Sequence, residues 1–224
     1  MRLRNIPSAR QELADSVYVI DEASIADMRG RWAEHFGNDN PIRIEIGMGK
    51  GQFLLELALR NPEVSYIGIE RYSSVLVHPV RKLEAMKQNS HTIDNLLLLR
   101  TDAEQLNDIF APDEVDRIYL NFSDPWPKDR HAKRRLPGRV FLRRYEKVLA
   151  DGGAVEFKTD NRGLFDFALE EAREAGWIVD ACTYDLHADP VMNERNIMTE
   201  YEKKFSDLGN PICKLIEHPM TQST

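Results

Sequence analysis

The stretch Ile42-Arg-Ile-Glu-Ile-Gly-Met-Gly-Lys-Gly51 constrains the fold more than any other part of this chain. It reads as a strand running into a glycine-rich turn and then a helix. Glycines at 47, 49 and 51 let the backbone adopt unusual dihedrals and come close to a ligand. A helix starting near Lys50 would point its free N–H groups at that ligand. Val64–Ile69 follows as a second strand and ends at Glu70, 23 residues after Gly47, where a carboxylate can accept hydrogen bonds from both hydroxyls of a ribose.

The rest of the chain keeps the same alternation, the pattern of a parallel sheet covered by helices. Further strands are expected at Asn95–Arg100, Arg117–Phe122, Ala154–Lys158 and Trp177–Thr183, with closing strands at Thr199–Phe205 and Ile212–Ile216. No long helix separates the elements between Trp177 and Phe205, so an antiparallel edge is expected. Helices are expected at Ser24–Phe36, Lys50–Arg60, Ser73–Lys87, Arg139–Ala150 and Arg162–Ala175. Phe141, Tyr145, Val148 and Leu149 make one apolar face of the fourth helix, and Gly152-Gly153 supplies its stop. His78-Pro79 inside the third helix marks an expected kink or break. No linker or repeat divides the chain. The expectation is one doubly wound α/β domain of about seven strands over 41–217, preceded by an arm and first helix over 1–40 and followed by a tail, 218–224.

Two details choose the ligand. The glycines are spaced G-x-G-x-G, unlike the G-x-G-x-x-G of dinucleotide-binding dehydrogenases. Glu45, two residues before the first glycine, would repel a pyrophosphate and would suit a sulfonium or ammonium ligand such as S-adenosylmethionine. Past the third strand, Thr101-Asp102-Ala103-Glu104 can reach an adenine amino group if the strands run in 3-2-1-4-5 order. Asp102 is equally the residue type of a helix N-cap.

Arg117-Ile-Tyr-Leu-Asn-Phe-Ser-Asp-Pro-Trp-Pro-Lys128 is a strand that would deliver Asn121, Ser123 and Asp124 to the edge of the cofactor crevice. Pro125 and Pro127 stiffen its exit around Trp126, forming a flat platform of the kind on which a nucleobase stacks. The plain alternative is a surface turn with Trp126 packed inward.

Net charge is −7, yet residues 128–147 hold nine Lys and Arg against two acids, leaving −14 for the remainder. A basic patch on an acidic protein is what binding a polyanion requires, although charge runs are commonly solvated helix faces. The N-terminus lacks the apolar core of a signal peptide, and no apolar run approaches the length of a membrane span. Two cysteines, Cys182 and Cys213, fit a reducing cytoplasm, and scattered histidines give no metal spacing.

The chain resembles the bacterial tRNA (guanine-N7)-methyltransferases. The matching stretches are IEIGMGKG at 44–51, IGIER at 67–71, LNFSDPWPK at 120–128, KRRL at 133–136, FKTDN at 157–161 and TEYEKKF at 199–205. They cover most of the chain from about residue 40 onward, and DPWPK followed by KRRL is the most specific pair. The resemblance implies a Rossmann-like class I methyltransferase using S-adenosylmethionine to methylate N7 of guanine 46 in the variable loop of tRNA. It implies that Glu45, Glu70, Asp102 and Asp124 line the methyl-donor site, beside Gly47, Gly49, Gly51, Ala103 and Asn121. Asp124 takes the catalytic role. Lys128, Asp160, Thr199, Glu200, Tyr201 and Glu202 contact the guanosine, and Arg130, His131, Ala132, Lys133, Arg134 and Arg135 touch the RNA backbone. The family admits a homodimer. A class I methyltransferase for another RNA base or a small molecule, or a non-catalytic RNA-binding protein on the same scaffold, would share parts of this pattern.

Overall fold

In a computed structural model, which describes residues 5–220, contacts gather into two units, one ending at Ala111 and one beginning at Pro112. The strands number seven among the described residues and make the mixed, mostly parallel sheet of an α/β fold. Residues 1–4 of the expected arm and 221–224 of the expected tail lie outside the described residues. No described helix is long and apolar enough to cross a membrane.

The first unit contains α1 (Ala9–Ala14), α2 (Trp32–Phe36), β1 (Ile42–Ile46), α3 (Gln52–Arg60), β2 (Ser65–Ile69), α4 (Ser73–Gln88), β3 (Leu96–Leu99) and α5 (Leu106–Ile109). Its strands are parallel in the order β3-β2-β1, with Ile44 beside Ile67 and Ile67 beside Leu97. Every residue of β2 and β3 is buried, as continuous apolar strands in a parallel sheet require. The N-terminal segment is fastened to α4: Arg81 clasps Glu12 with two 2.7 Å hydrogen bonds, and the Ser16 hydroxyl donates to Glu84 at 2.6 Å. The helix expected over Ser24–Phe36 is divided into a 3-10 turn, Ile25–Met28, and α2, because Gly30 intervenes with φ +76°.

α4 passes unbroken through Pro79, where a kink or break was expected. The proline is buried, and the absent side chain of Gly51 makes room for its ring. A Cβ at Gly51 would lie 2.8 Å from the Pro79 Cβ and 2.6 Å from the Met48 Cε, while φ there is +70°. Gly51→Ala should therefore cost more stability than Gly37→Ala, where φ is +71° but nothing lies within 4 Å of the added carbon. Urea unfolding of both should show about 1–3 kcal/mol of extra loss at position 51 from overpacking. Equal losses would mean that backbone strain alone is at work.

The second unit contains β4 (Val115–Asn121), α6 (Arg139–Tyr145), β5 (Leu149–Thr159), α7 (Arg162–Ala175), β6 (Trp177–Thr183), α8 (Pro190–Asn193), α9 (Glu200–Ser206) and β7 (Cys213–Pro219). Strand order is β4-β5-β7-β6, parallel between β4 and β5 and antiparallel at both pairings of β7. The antiparallel edge is as expected. Two expectations fail. The helix expected to reach Ala150 ends at Tyr145, because Leu149 already pairs with Val115 as the first residue of β5, and Gly152 lies within that strand. The segment Thr199–Phe205 is a helix preceded by its cap, not a strand.

One face of this unit's sheet carries a charged cluster. Glu156 on β5 accepts from Arg117 of β4 at 2.7 Å and pairs with Lys214 of β7 at 3.1 Å. Burial pushes its carboxyl upward, but Lys214 and Arg117 prevail and hold it below the ordinary carboxylate value.

Candidate active site

In the first unit the residues expected at the methyl donor stand at the end of β1, in the glycine turn that follows it and just past the ends of β2 and β3. Gly47, Gly49 and Gly51 all have positive φ (75°, 56° and 70°), a path that side-chain-bearing residues rarely follow. The turn is tied to the end of β2 by the Gly47 and Met48 amides, which donate to the Ile69 carbonyl at 2.8 and 3.1 Å. A Cβ at Gly47 or Gly49 would meet nothing within 4 Å, so the turn is open to close approach on that side.

Glu70 is oriented before any ligand arrives. One carboxylate oxygen accepts the Gly49 amide at 3.3 Å and the other the Tyr72 amide at 2.9 Å. An ionised carboxylate has about four lone-pair sites and so can accept from hydroxyls as well as amides. Glu45 is 2% exposed at the end of β1. Asp102 caps the 3-10 turn Ala103–Gln105 through the Glu104 amide at 3.0 Å and pairs with Arg71 at 3.2 Å. Its N-cap role is therefore real, and it leaves the side chain at the end of β3 with Ala103 buried behind it. An open glycine turn, a pre-oriented acid after β2 and a buried acid before the turn fit a positively charged nucleoside.

In the second unit β4 delivers a loop held in an unusual path. Phe122 has φ 53° and Trp126 φ 42°, both in the left-handed region that bulky residues avoid. The Phe122 amide donates to the Lys158 carbonyl at 2.8 Å. Asp124 is exposed between the two strained residues. The Arg134 guanidinium lies 5.0 Å from the Trp126 ring centroid and His131 meets that ring edge-on at 5.7 Å. Trp126 therefore already carries a cation on its ring, where an open base platform was expected.

Of the residues expected at the guanosine, Asp160 and Tyr201 are brought together. The Tyr201 hydroxyl hydrogen-bonds the Asp160 carboxylate, and burial first, then this acid, raises the phenol above its ordinary value. The Tyr201 ring lies 4.8 Å from Phe122 and 4.2 Å from Phe205. Thr199 and Glu202 have a different place, forming a reciprocal capping box at the start of α9. Glu202 is buried and accepts from Lys158 at 2.7 Å and Asn196 at 2.7 Å, with His187 at 3.0 Å. Lys158 also donates to the Asn196 side chain and the Ile197 carbonyl. This Lys158–Glu202–His187–Asn196 network, which sequence reasoning missed, fastens α9 and the segment before it to the end of β5. The Thr199-x-x-Glu202 spacing was the available signal.

Lys128, Arg130, Lys133 and Arg134 are exposed on and beside the short 3-10 turn Asp129–Arg134, with His131 and Ala132 half-buried in it. Glu200 is exposed on the first turn of α9. Arg139, one of the nine cations of residues 128–147, is engaged by Glu171 and Glu174 of α7. Asn121 closes β4 opposite Lys158.

Residues 39–215 match a family model described as a putative methyltransferase, one match running through both units as expected of a single domain. A solved structure described as an antibiotic-related methyltransferase aligns with TM-score 0.63 at 18% identity, covering 85% of this chain and 94% of its own. The structural likeness shows the fold, and the family model, matching most of the chain, defines the class as methyltransferase. The tRNA (guanine-N(7)-)-methyltransferase of Lachnoclostridium phytofermentans is 56% identical over 96% of this chain and 97% of its own length. That of Bacillus subtilis is 49% identical over 96% and 97%. The chain belongs to the tRNA (guanine-N(7)-)-methyltransferase family.

Proposed function

We propose that this enzyme transfers the methyl group of S-adenosylmethionine to N7 of guanine 46 in the variable loop of tRNA, in the cytoplasm. The observation that carries the reading is an exposed acid, Asp124, presented between two bulky residues held in left-handed conformations. Such strain persists only where the surroundings impose it, and it clusters at functional sites.

S-adenosylmethionine supplies an electrophilic methyl group on a sulfonium. Glu70, fixed by two amides, accepts the ribose hydroxyls, and Glu45 complements the donor's positive charge. Asp102 and Ala103 meet the adenine, Asn121 flanks the donor, and Gly47, Gly49 and Gly51 let the backbone come close. Guanine N7 has its own lone pair, so attack needs no deprotonation. Asp124 accepts a hydrogen bond from the guanine N1–H or amino group, which orients N7 and stabilises the positive charge the base acquires. Lys128, Asp160, Glu200 and Tyr201 hold the guanosine, and the Thr199–Glu202 capping box sets the start of the helix that carries the last two. The basic turn, residues 130–134, follows phosphates without reading sequence. These roles belong to a methyltransferase domain over 41–217, and a homodimer is compatible with them.

Labelled donor incubated with unmodified tRNA, followed by nucleoside analysis, should yield N7-methylguanosine. Asp124→Asn should lower kcat by about 10²-fold, the scale of losing one charge-stabilising contact, while donor affinity changes little. A different methylated base would overturn the guanine assignment, and label absent from tRNA would point to a small-molecule acceptor. Lost donor affinity with an intact single-turnover rate would remove Asp124 from the chemistry.

A further inference from the structure

Arg135 stands apart from the other cations of the basic turn, and we propose that it is a positioning residue that holds the acceptor loop in its strained path, not an RNA-backbone contact. The proposal rests on the reading that Asp124 acts from this loop. The Arg135 Nε donates to the Pro125 carbonyl at 3.1 Å and the Trp126 carbonyl at 3.4 Å, and its Nη2 donates to the Trp126 carbonyl at 3.1 Å. The Nε–Nη2 edge, the fork that would clasp a phosphate, is thus turned onto the two carbonyls that immediately follow Asp124. The flat face of the same guanidinium lies 4.5 Å from the Phe167 ring centroid of α7.

The backbone around it leaves little slack. The Arg135 carbonyl accepts the Gly138 amide at 3.0 Å, and a Cβ at Gly138 would meet that carbonyl at 3.1 Å and the Phe167 ring at 3.4 Å. Arg135 is half-buried, whereas Lys133 and Arg134 are exposed. Trp126, with φ 42°, receives its carbonyl restraint from Arg135 and a ring contact from Arg134. At its other end the loop is set by Phe122, packed on Tyr201. Asp124 is held between these two fixed points. A lysine at 135 keeps the charge but cannot span two carbonyls while stacking on a ring.

Arg135→Lys, Arg135→Ala and Lys133→Ala in the full-length enzyme test this. For both Arg135 variants kcat should fall about tenfold or more, since small misplacement of a reacting group is costly. Their KM for tRNA should stay within about twofold, with the salt dependence of tRNA binding unchanged, whereas Lys133→Ala should reduce that slope by about 1. Emission from Trp126, isolated by subtraction against Trp126→Phe, should shift to the red in Arg135→Lys. A wild-type kcat in Arg135→Lys, or a salt slope shallower by about 1 in either variant, overturns the proposal and makes Arg135 a phosphate contact. Should Arg135→Ala fail to fold, the lysine variant decides. If even the wild-type enzyme leaves tRNA unmethylated, the proposed function falls, and the Trp126 emission of Arg135→Lys alone decides: a shift upholds the clamp and no shift overturns it.

Discussion

Lys158→Met should lower the unfolding free energy by about 3–5 kcal/mol, the usual cost of removing one partner from a buried ion pair. The side chains of Lys158 and Glu202 are 4% and 0% exposed and 2.7 Å apart. Burial pushes the Glu202 carboxyl upward, but Lys158, His187 and Asn196 outweigh it and hold it below the ordinary value of 4.5. Without the lysine a charged carboxylate stays in the interior with a histidine and an amide for company. Lys158→Met/Glu202→Leu should recover part of the loss, because two apolar groups of similar volume do not strand a charge. The pH sign follows from the depressed carboxyl. The pair's contribution is present above 4.5 and fades as pH falls through the lower folded value, so acidification should narrow the gap between wild type and Lys158→Met. Urea unfolding at two pH values measures both effects. A single-variant loss under about 1 kcal/mol would show that the interior around Glu202 is wetter than its burial implies. Because the same network holds α9, the variant should also lose the Asp160–Tyr201 pairing before it loses the sheet.

Glu217→Gln should do the reverse and stabilise the protein at neutral pH. Glu217 is fully buried on β7, opposite Val155 of β5, and neither carboxyl oxygen has a hydrogen-bond partner. Burial alone raises it from 4.5 to about 8. The titrating neighbour is Tyr145 of α6, itself raised well above its ordinary value by burial and then by Glu217, with its hydroxyl donating to the Leu136 carbonyl. The folded chain therefore binds a proton that the unfolded chain releases between 4.5 and about 8, and stability falls across that window as pH rises. At pH 7 this cost is on the order of 3 kcal/mol, and the glutamine variant escapes it. Thermal unfolding should find the two proteins alike near pH 4.5, with the variant ahead by several degrees near pH 8. Melting curves that run parallel across that range would sink the assignment.

Both networks show where sequence reading stops. β1, β2 and the glycine turn are legible because everything that makes them is local: an apolar run, glycines where φ must be positive, an acid at the next strand end. The Asp124 loop was legible for the same reason, since its two prolines announce a stiff turn. α9 was misread as a strand although Tyr201 and Phe205 stand four apart, as on a helix face, and Thr199 with Glu202 spells a capping box. The pairing of Lys158 with Glu202 joins residues 44 apart, and nothing in either neighbourhood marks it. Arg135 is harder still, because composition sees one more cation in a basic run, while its carbonyl partners exist only once the loop has folded back on it.

Glu156 has a consequence for how the second unit assembles. Its carboxylate is met from both sides, by Arg117 on one neighbouring strand and Lys214 on the other. Side chains alternate between the faces of a sheet, so a slip of one residue in either pairing would turn one cation to the far face and leave the buried acid with a single partner in place of two. The three charges work as a parity check on two ladders that loop closure cannot align, since β4 and β5 are joined through α6, and β5 and β7 through everything from α7 to α9. A chain that docks these strands out of step fails the check while still open enough to come apart and try again.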